Sequence, residues 1–196
     1  MCVSFYSEMA CKKSYNFVFK GLFLMKRLFC LAAIAAVVVG HSFSAQAAGL
    51  EFGLGTTGDS TLTYRLGLTS DWDKSWMQSD VGRLTGYWSG AYTFWDGDKE
   101  ASNHSLSFSP VLVYEFAGNS VKPYIEAGIG VAAFSRTRLE DNNLGQAFQF
   151  EDRLGFGLRF TGGHEVGIRA THYSNAGISS NNDGVESYSL HYTMPL

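Results

Sequence analysis

From residue 49 onward, apolar and polar side chains alternate with a period of two. Near the end of the chain, Tyr188, Leu190, Tyr192 and Met194 share one parity, and Ser187, Ser189, His191 and Thr193 the other. Val166, Ile168 and Ala170 oppose Glu165, Gly167, Arg169 and Thr171 in the same way. Leu154, Phe156, Leu158 and Phe160 oppose Arg153, Gly155, Gly157 and Arg159. A period of two marks extended strands, whose successive side chains point to opposite faces. The pattern predicts eight strands, near 49–56, 61–70, 82–95, 103–116, 121–134, 146–160, 163–174 and 184–194. Turn chemistry separates them: Thr57-Gly58-Asp59, Asp96-Gly97-Asp98, Ala117-Gly118-Asn119, Asp141-Asn142-Asn143, Gly162-Gly163 and Asn181-Asn182-Asp183-Gly184. Several of these strands exceed the ~5–6 residues usual in soluble sheets and reach the length of about 9–11 tilted residues that crosses a bilayer.

The two faces say which solvent each one meets. A soluble eight-stranded barrel of the lipocalin kind would bury its apolar face. The opposite arrangement, apolar residues outward and polar residues in a closed interior, is that of a transmembrane barrel. Closure also pairs every backbone group in a medium that offers no hydrogen bonds. The fold class expected is therefore all-β, an eight-stranded antiparallel transmembrane β-barrel of the outer-membrane type. Arg153, Arg159, Arg169, Glu115 and Glu126 should form a paired network inside it. Tyr and Trp near strand ends suit interfacial girdles. The chain ends Met194-Pro195-Leu196 rather than on the aromatic residue common in such barrels, so Tyr192 is the nearest outward aromatic.

The N-terminal residues follow another logic. Met25-Lys26-Arg27 is a basic start, Leu28 to Val39 is apolar, and Ala45-Gln46-Ala47 is a small-residue cleavage site. That order is a secretory signal peptide at 25–47, cleaved before the barrel at 48–196. Residues 1–24 read as an upstream extension or a mis-called start. Cys2, Cys11 and Cys30 all lie in this leader, so the mature chain has no thiol for a disulfide, a metal or a nucleophile. Five of the 15 Lys and Arg and one of the 18 Asp and Glu also lie there, leaving a formal charge of −7 that argues against a nucleic-acid partner.

Most short motifs fail on context. Gly53-Leu54-Gly55-Thr56-Thr57-Gly58 has dinucleotide-binding spacing but no helix to follow it. No spaced His, Asp or Glu set suggests a metal, and no cofactor is expected. His191, on the inward parity, is expected to be a structural hydrogen-bonding residue. Asp96-Gly97-Asp98 reads as a polar loop tip.

The hairpin at 164–194 differs. His172 and Ser174 continue the apolar parity of Val166, Ile168 and Ala170, so they point outward. Two residues along a strand span about 6.5–7 Å, a gap an imidazole can close toward a hydroxyl. Symmetric pairing about Ser179 places Glu186 opposite His172, with cross-strand Cβ atoms about 4.5–5.5 Å apart. A Ser-His-Glu relay can thus be built from one hairpin. The geometry leaves two readings open: a catalytic site, or polar residues marking the edge of the membrane zone. Unpartnered, such groups are costly to desolvate.

The run His172-Tyr173-Ser174-Asn175-Ala176-Gly177, followed by Asn182-Asp183-Gly184-Val185-Glu186, resembles the C-terminal signature of the lipid A 3-O-deacylases, the PagL family. The match is dense over 164–194 and otherwise one of plan. The resemblance implies an outer-membrane serine hydrolase with Ser174 as nucleophile, His172 as base and Glu186 as acid, working without a metal. It also implies that Asn175 is required. Within that mechanism, Asn175 and the Gly177 N–H are candidate oxyanion donors. The implied partner is lipid A of lipopolysaccharide, cut at its 3-linked acyl ester. With both termini periplasmic, the hairpin loop lies at the outer leaflet. The sequence leaves open a homodimer, a non-catalytic anchor or adhesin, and another outer-membrane lipid esterase or acyltransferase.

Overall fold

The structure is a computed structural model that describes residues 48–196. The expected signal peptide and the segment before it lie outside the described residues. The strands are β1 (Ala48–Thr57), β2 (Leu62–Asp71), β3 (Gly82–Trp95), β4 (Asn103–Phe116), β5 (Val121–Phe134), β6 (Arg138–Leu139), β7 (Asn142–Asn143), β8 (Phe148–Phe160), β9 (Glu165–Ser174) and β10 (Val185–Pro195). Eight of them close an antiparallel barrel in the order β1-β10-β9-β8-β5-β4-β3-β2. No helix among the described residues is long and apolar enough to cross a membrane.

The predicted strands 82–95, 103–116 and 121–134 coincide with β3, β4 and β5, and the others differ by at most two residues at an end. The starts of β8 and β9 move inward for local reasons. Gln149 Nε2 donates to Gln146 O at 2.7 Å, which folds Gln146 into the preceding loop. Gly163 has φ 84° and belongs to the turn. The larger difference is the connection between β5 and β8. The sequence suggested only a turn at Asp141-Asn142-Asn143. The structure forms the small β6–β7 hairpin there, in a loop that reaches over the barrel mouth.

The outward face is the apolar parity. Leu54, Leu68, Leu106, Ile129, Leu154, Ile168 and Leu190 are all exposed on it, a distribution that suits hydrocarbon and not water. The inward face is filled. Arg169 holds Glu51 with two parallel bonds, at 3.0 and 2.9 Å, and Glu126 at 2.6 Å. Tyr87 donates to the other oxygen of Glu126 at 2.6 Å. Glu151 gathers Ser109 at 2.6 Å, Tyr173 at 3.0 Å and the Arg153 guanidinium. Toward the termini, Glu115 pairs with Arg83, Lys122 and Arg159, and Arg159 also pairs with Glu165. His191 makes the structural bond expected of it, to Tyr124 Oη at 3.0 Å.

The predicted network is therefore present but larger. Glu51, Arg65, Glu151 and Glu165 join it, and Arg153 takes Glu151 as its carboxylate. Buried ions are tolerable here because they are paired and hydrogen-bonded. At the loop end the lumen is stoppered by Trp95, Ala132, Phe134, Leu139, Leu144, Tyr173 and Val185, so the barrel is a packed body and not a pore.

Ile168 is 61% exposed and Arg169 4% exposed, so adjacent positions sit in opposite media. Ile168→Arg should cost roughly 2–4 kcal/mol in equilibrium unfolding from lipid. Nitroxides at the two positions should differ sharply, with only the one at 168 relaxed by lipid-soluble oxygen. The reverse result would turn the barrel inside out.

Candidate active site

β9 ends on Ser174, and β10 begins at Val185 after the loop 175–184. The hairpin pairs in the register expected from symmetry about Ser179, with Glu186 opposite His172. Both side chains, and that of Ser174, lie on the outward parity of the barrel wall. His172 Nδ1 stands 2.9 Å from Glu186 Oε1. A carboxylate only accepts, so Nδ1 is the donor, and in the neutral ring Nε2 then keeps its lone pair. That is the tautomer a general base needs. The pair is partly solvated, with side-chain exposures of 42% and 54%. Among the described residues no hydrogen bond joins Ser174 Oγ to the imidazole. Such bonds often tighten only around substrate, and the two-residue spacing leaves the gap to rotamer choice.

Asp152 is a member of this row that the sequence reading missed. It lies on the outward face of β8, opposite His172 on the side away from Glu186. Two carboxylates therefore flank one imidazole along a single line across three strands. The signal was available: Asp152 and His172 are equidistant from Gly162, as His172 and Glu186 are from Ser179. Phe150 stands opposite Ser174 and supplies an apolar neighbour.

Glycine shapes the site at one point. Gly184, with φ 71°, passes so close to the ring that a Cβ there would lie 3.1 Å from His172 Cε1. The backbone of the loop end is thus the wall behind the imidazole.

Asn175 does not reach toward Ser174. It is fully buried, and its Nδ2 donates to Leu144 O at 2.9 Å and Asn181 O at 2.7 Å. Its backbone N–H donates to Asn182 Oδ1 at 2.8 Å. The Asn175 donors are thus committed to the loop. Its carbonyl accepts Ile178 N–H at 3.1 Å and closes a tight turn. Ala176 and Gly177 at the turn's centre have φ 53° and 76°, the pattern of a type I′ turn. Their N–H groups have no partner among the described residues and lie exposed just past the serine. They are the free donors of the site.

Comparison with known proteins gives a consistent picture. The family model described as Lipid A 3-O-deacylase (PagL) matches residues 60–195. The chain is 61% identical over 173 residues to a Lipid A deacylase PagL of Pseudomonas aeruginosa, covering 88% of this chain and all of that protein. A Lipid A deacylase PagL of Bordetella bronchiseptica is 36% identical over 104 residues, 53% of this chain and 58% of that one. A crystal structure titled as the outer membrane enzyme PagL superposes with a TM-score of 0.73 at 61% identity, covering 76% of this chain and 99% of that chain.

Adding a methyl group at Gly184 should press on the imidazole and loosen it from Glu186. We expect Gly184→Ala to slow ester hydrolysis by about tenfold or more, ~1.4 kcal/mol of barrier, while the barrel keeps its heat-modifiable electrophoretic shift. Hydrolysis at the original rate would mean that the ring does not depend on this wall.

Proposed function

The chain belongs to the lipid A 3-O-deacylase (PagL) family, and from that premise we propose how its outward-facing side chains perform the reaction. The protein is an outer-membrane enzyme, an ester hydrolase that removes the 3-O acyl chain of lipid A. The observation that carries the mechanism is the His172 Nδ1–Glu186 contact beside Ser174 on the membrane-facing wall.

His172 Nε2 takes the proton of Ser174 Oγ as the oxygen attacks the ester carbonyl. Glu186 holds the ring in the needed tautomer and stabilises the imidazolium. The carbonyl oxygen becomes an oxyanion, for which the N–H groups of Gly177 and Ala176 are the candidate donors. Collapse of the intermediate breaks the ester C–O bond, and the imidazolium returns its proton to the departing sugar oxygen. Water, deprotonated by His172, then attacks the acyl-serine. The fatty acid leaves and Ser174 regains its proton. Asp152, an acceptor beside His172, is available to a donor on the substrate.

Access follows from the packed lumen. An acyl chain cannot reach the serine through a barrel stoppered by Trp95, Phe134 and Tyr173, so it comes from the plane of the membrane. Ala170 is the small outward residue below His172, set between Leu154 and Tyr188. It leaves a dent along which the chain can lie. Moving from lipid to this dent releases little hydrophobic free energy, because the chain is already in hydrocarbon. Selectivity therefore rests on shape and on polar contacts at the interface.

Mass spectrometry of lipid A from cells expressing the protein tests this reading. Loss of one 3-linked hydroxyacyl chain is expected. Loss of acyl chains from phospholipid alone would indicate a phospholipase, gain of a chain on lipid A an acyltransferase, and no change a structural barrel. Ser174→Ala and His172→Ala should each abolish the loss in a folded barrel, and Glu186→Ala should leave a residue of activity. Ala170→Trp should slow turnover without unfolding the barrel; wild-type turnover in that variant would count against the lateral route.

A further inference from the structure

Ser174 is the last residue of its strand, so the sheet fixes its backbone on one side only. On the other side stands Asn175, whose amide is held by Leu144 O and Asn181 O. Leu144 belongs to the connection 135–147 between β5 and β8, far away in sequence. That connection comes very close to the serine's loop. A Cβ on Gly145, with φ 73°, would lie 2.1 Å from Asn181 O. A second tie runs both ways: Asn143 N–H donates to Asp183 Oδ2 at 2.8 Å, and Asp183 N–H to Asn143 O at 3.3 Å.

The connection is itself anchored. Leu139 and Leu144 are 2% and 0% exposed in the stopper of the barrel mouth. Glu140 accepts the N–H groups of Asp98 and Lys99, each at 2.8 Å, which hold its carboxyl below the usual carboxylate range. The serine's turn needs such a support. Ala176 sits in the left-handed region at φ 53°, which a residue with a Cβ rarely adopts. A loop free in water would relax it. Strained conformations persist where their surroundings over-determine them.

We propose that the 135–147 connection is a positioning element for the reaction. Through the Leu144 carbonyl and the close approach of Gly145, it holds Asn175, and so sets Ser174 Oγ and the free N–H groups of Ala176 and Gly177 relative to one another. Gly145 and Asp183 are positioning residues in this scheme; neither needs to touch substrate. The inference rests on Ser174 being the nucleophile.

The test uses the full-length mature barrel, with lipid A as substrate and a sulfonyl fluoride as serine probe. Gly145→Ala should lower kcat about 10- to 100-fold, with KM little changed, and should slow labelling of Ser174 in parallel. Asp183→Ala should act in the same direction, and Asp183→Asn, which keeps an acceptor oxygen, should restore the rate. A purely structural role would instead lower the melting temperature and leave kcat per folded molecule unchanged. If Gly145→Ala does not fold, the Asp183 pair decides alone. Wild-type kcat and labelling in the folded Gly145→Ala and Asp183→Ala barrels would overturn the proposal. Ser174→Ala, run beside them, separates the two failures: an active Ser174→Ala barrel removes the nucleophile itself, whereas an inactive one beside a fully active Gly145→Ala barrel removes only the positioning role.

Discussion

The two-toothed grip of Arg169 on Glu51 joins the ninth strand to the first across the lumen, and the remaining architecture depends on such grips. A barrel in lipid gains little from pressing its apolar residues together, because the hydrocarbon outside is as apolar as they are. Its cohesion has to come from backbone pairing around the wall and from polar contacts within. Glu126 and Tyr87 carry the grip on to β5 and β3, and Arg65 links Glu51 to Glu151 on β8, which also holds Ser109 of β4. Removing one partner would leave a buried charge uncompensated, which is far costlier than exchanging the pair for a packed apolar set.

That interior frame also carries the chemistry outside. Along β9 the residues Arg169, Thr171 and Tyr173 point in, while Ala170, His172 and Ser174 point out. Tyr173, between His172 and Ser174, donates to Glu151 at 3.0 Å in the lumen. The strand that bears the proposed base and nucleophile is therefore fastened by the residues between them. Preorganised sites gain from rigid elements of this kind, and here the element is a single strand whose two faces have separate duties.

Much of this could be read from the chain because strand periodicity is a local property. Val166 to Ala170 show their face without reference to any other segment. The pairing of His172 with Glu186 needed only a symmetric hairpin. Asp152 was equally accessible through symmetry about Gly162, which pairs it with His172. Other features lay beyond any local reading. The β6–β7 hairpin is held by contacts to three other loops, with Leu139 and Leu144 buried by a mouth that exists only once the barrel has closed. Asn175 looked like an oxyanion donor because it follows the serine. Its real partners, Leu144 and Asn181, are set by how the loops stack, which no spacing encodes.

The outward placement of His172, Ser174 and Glu186 changes what it means for this protein to meet its substrate. An enzyme with a cleft samples a volume of solution, and its encounter rate scales with bulk concentration. A site on the wall of a barrel samples an area. What arrives is set by lateral diffusion, by the crowding of neighbouring molecules and by which way the barrel happens to be turned about its own axis. On the proposed mechanism only a narrow arc of its circumference is reactive, so rotation in the plane of the membrane becomes part of the encounter. Anything that immobilises that arc against a neighbouring protein would switch the enzyme off with every catalytic atom still in place.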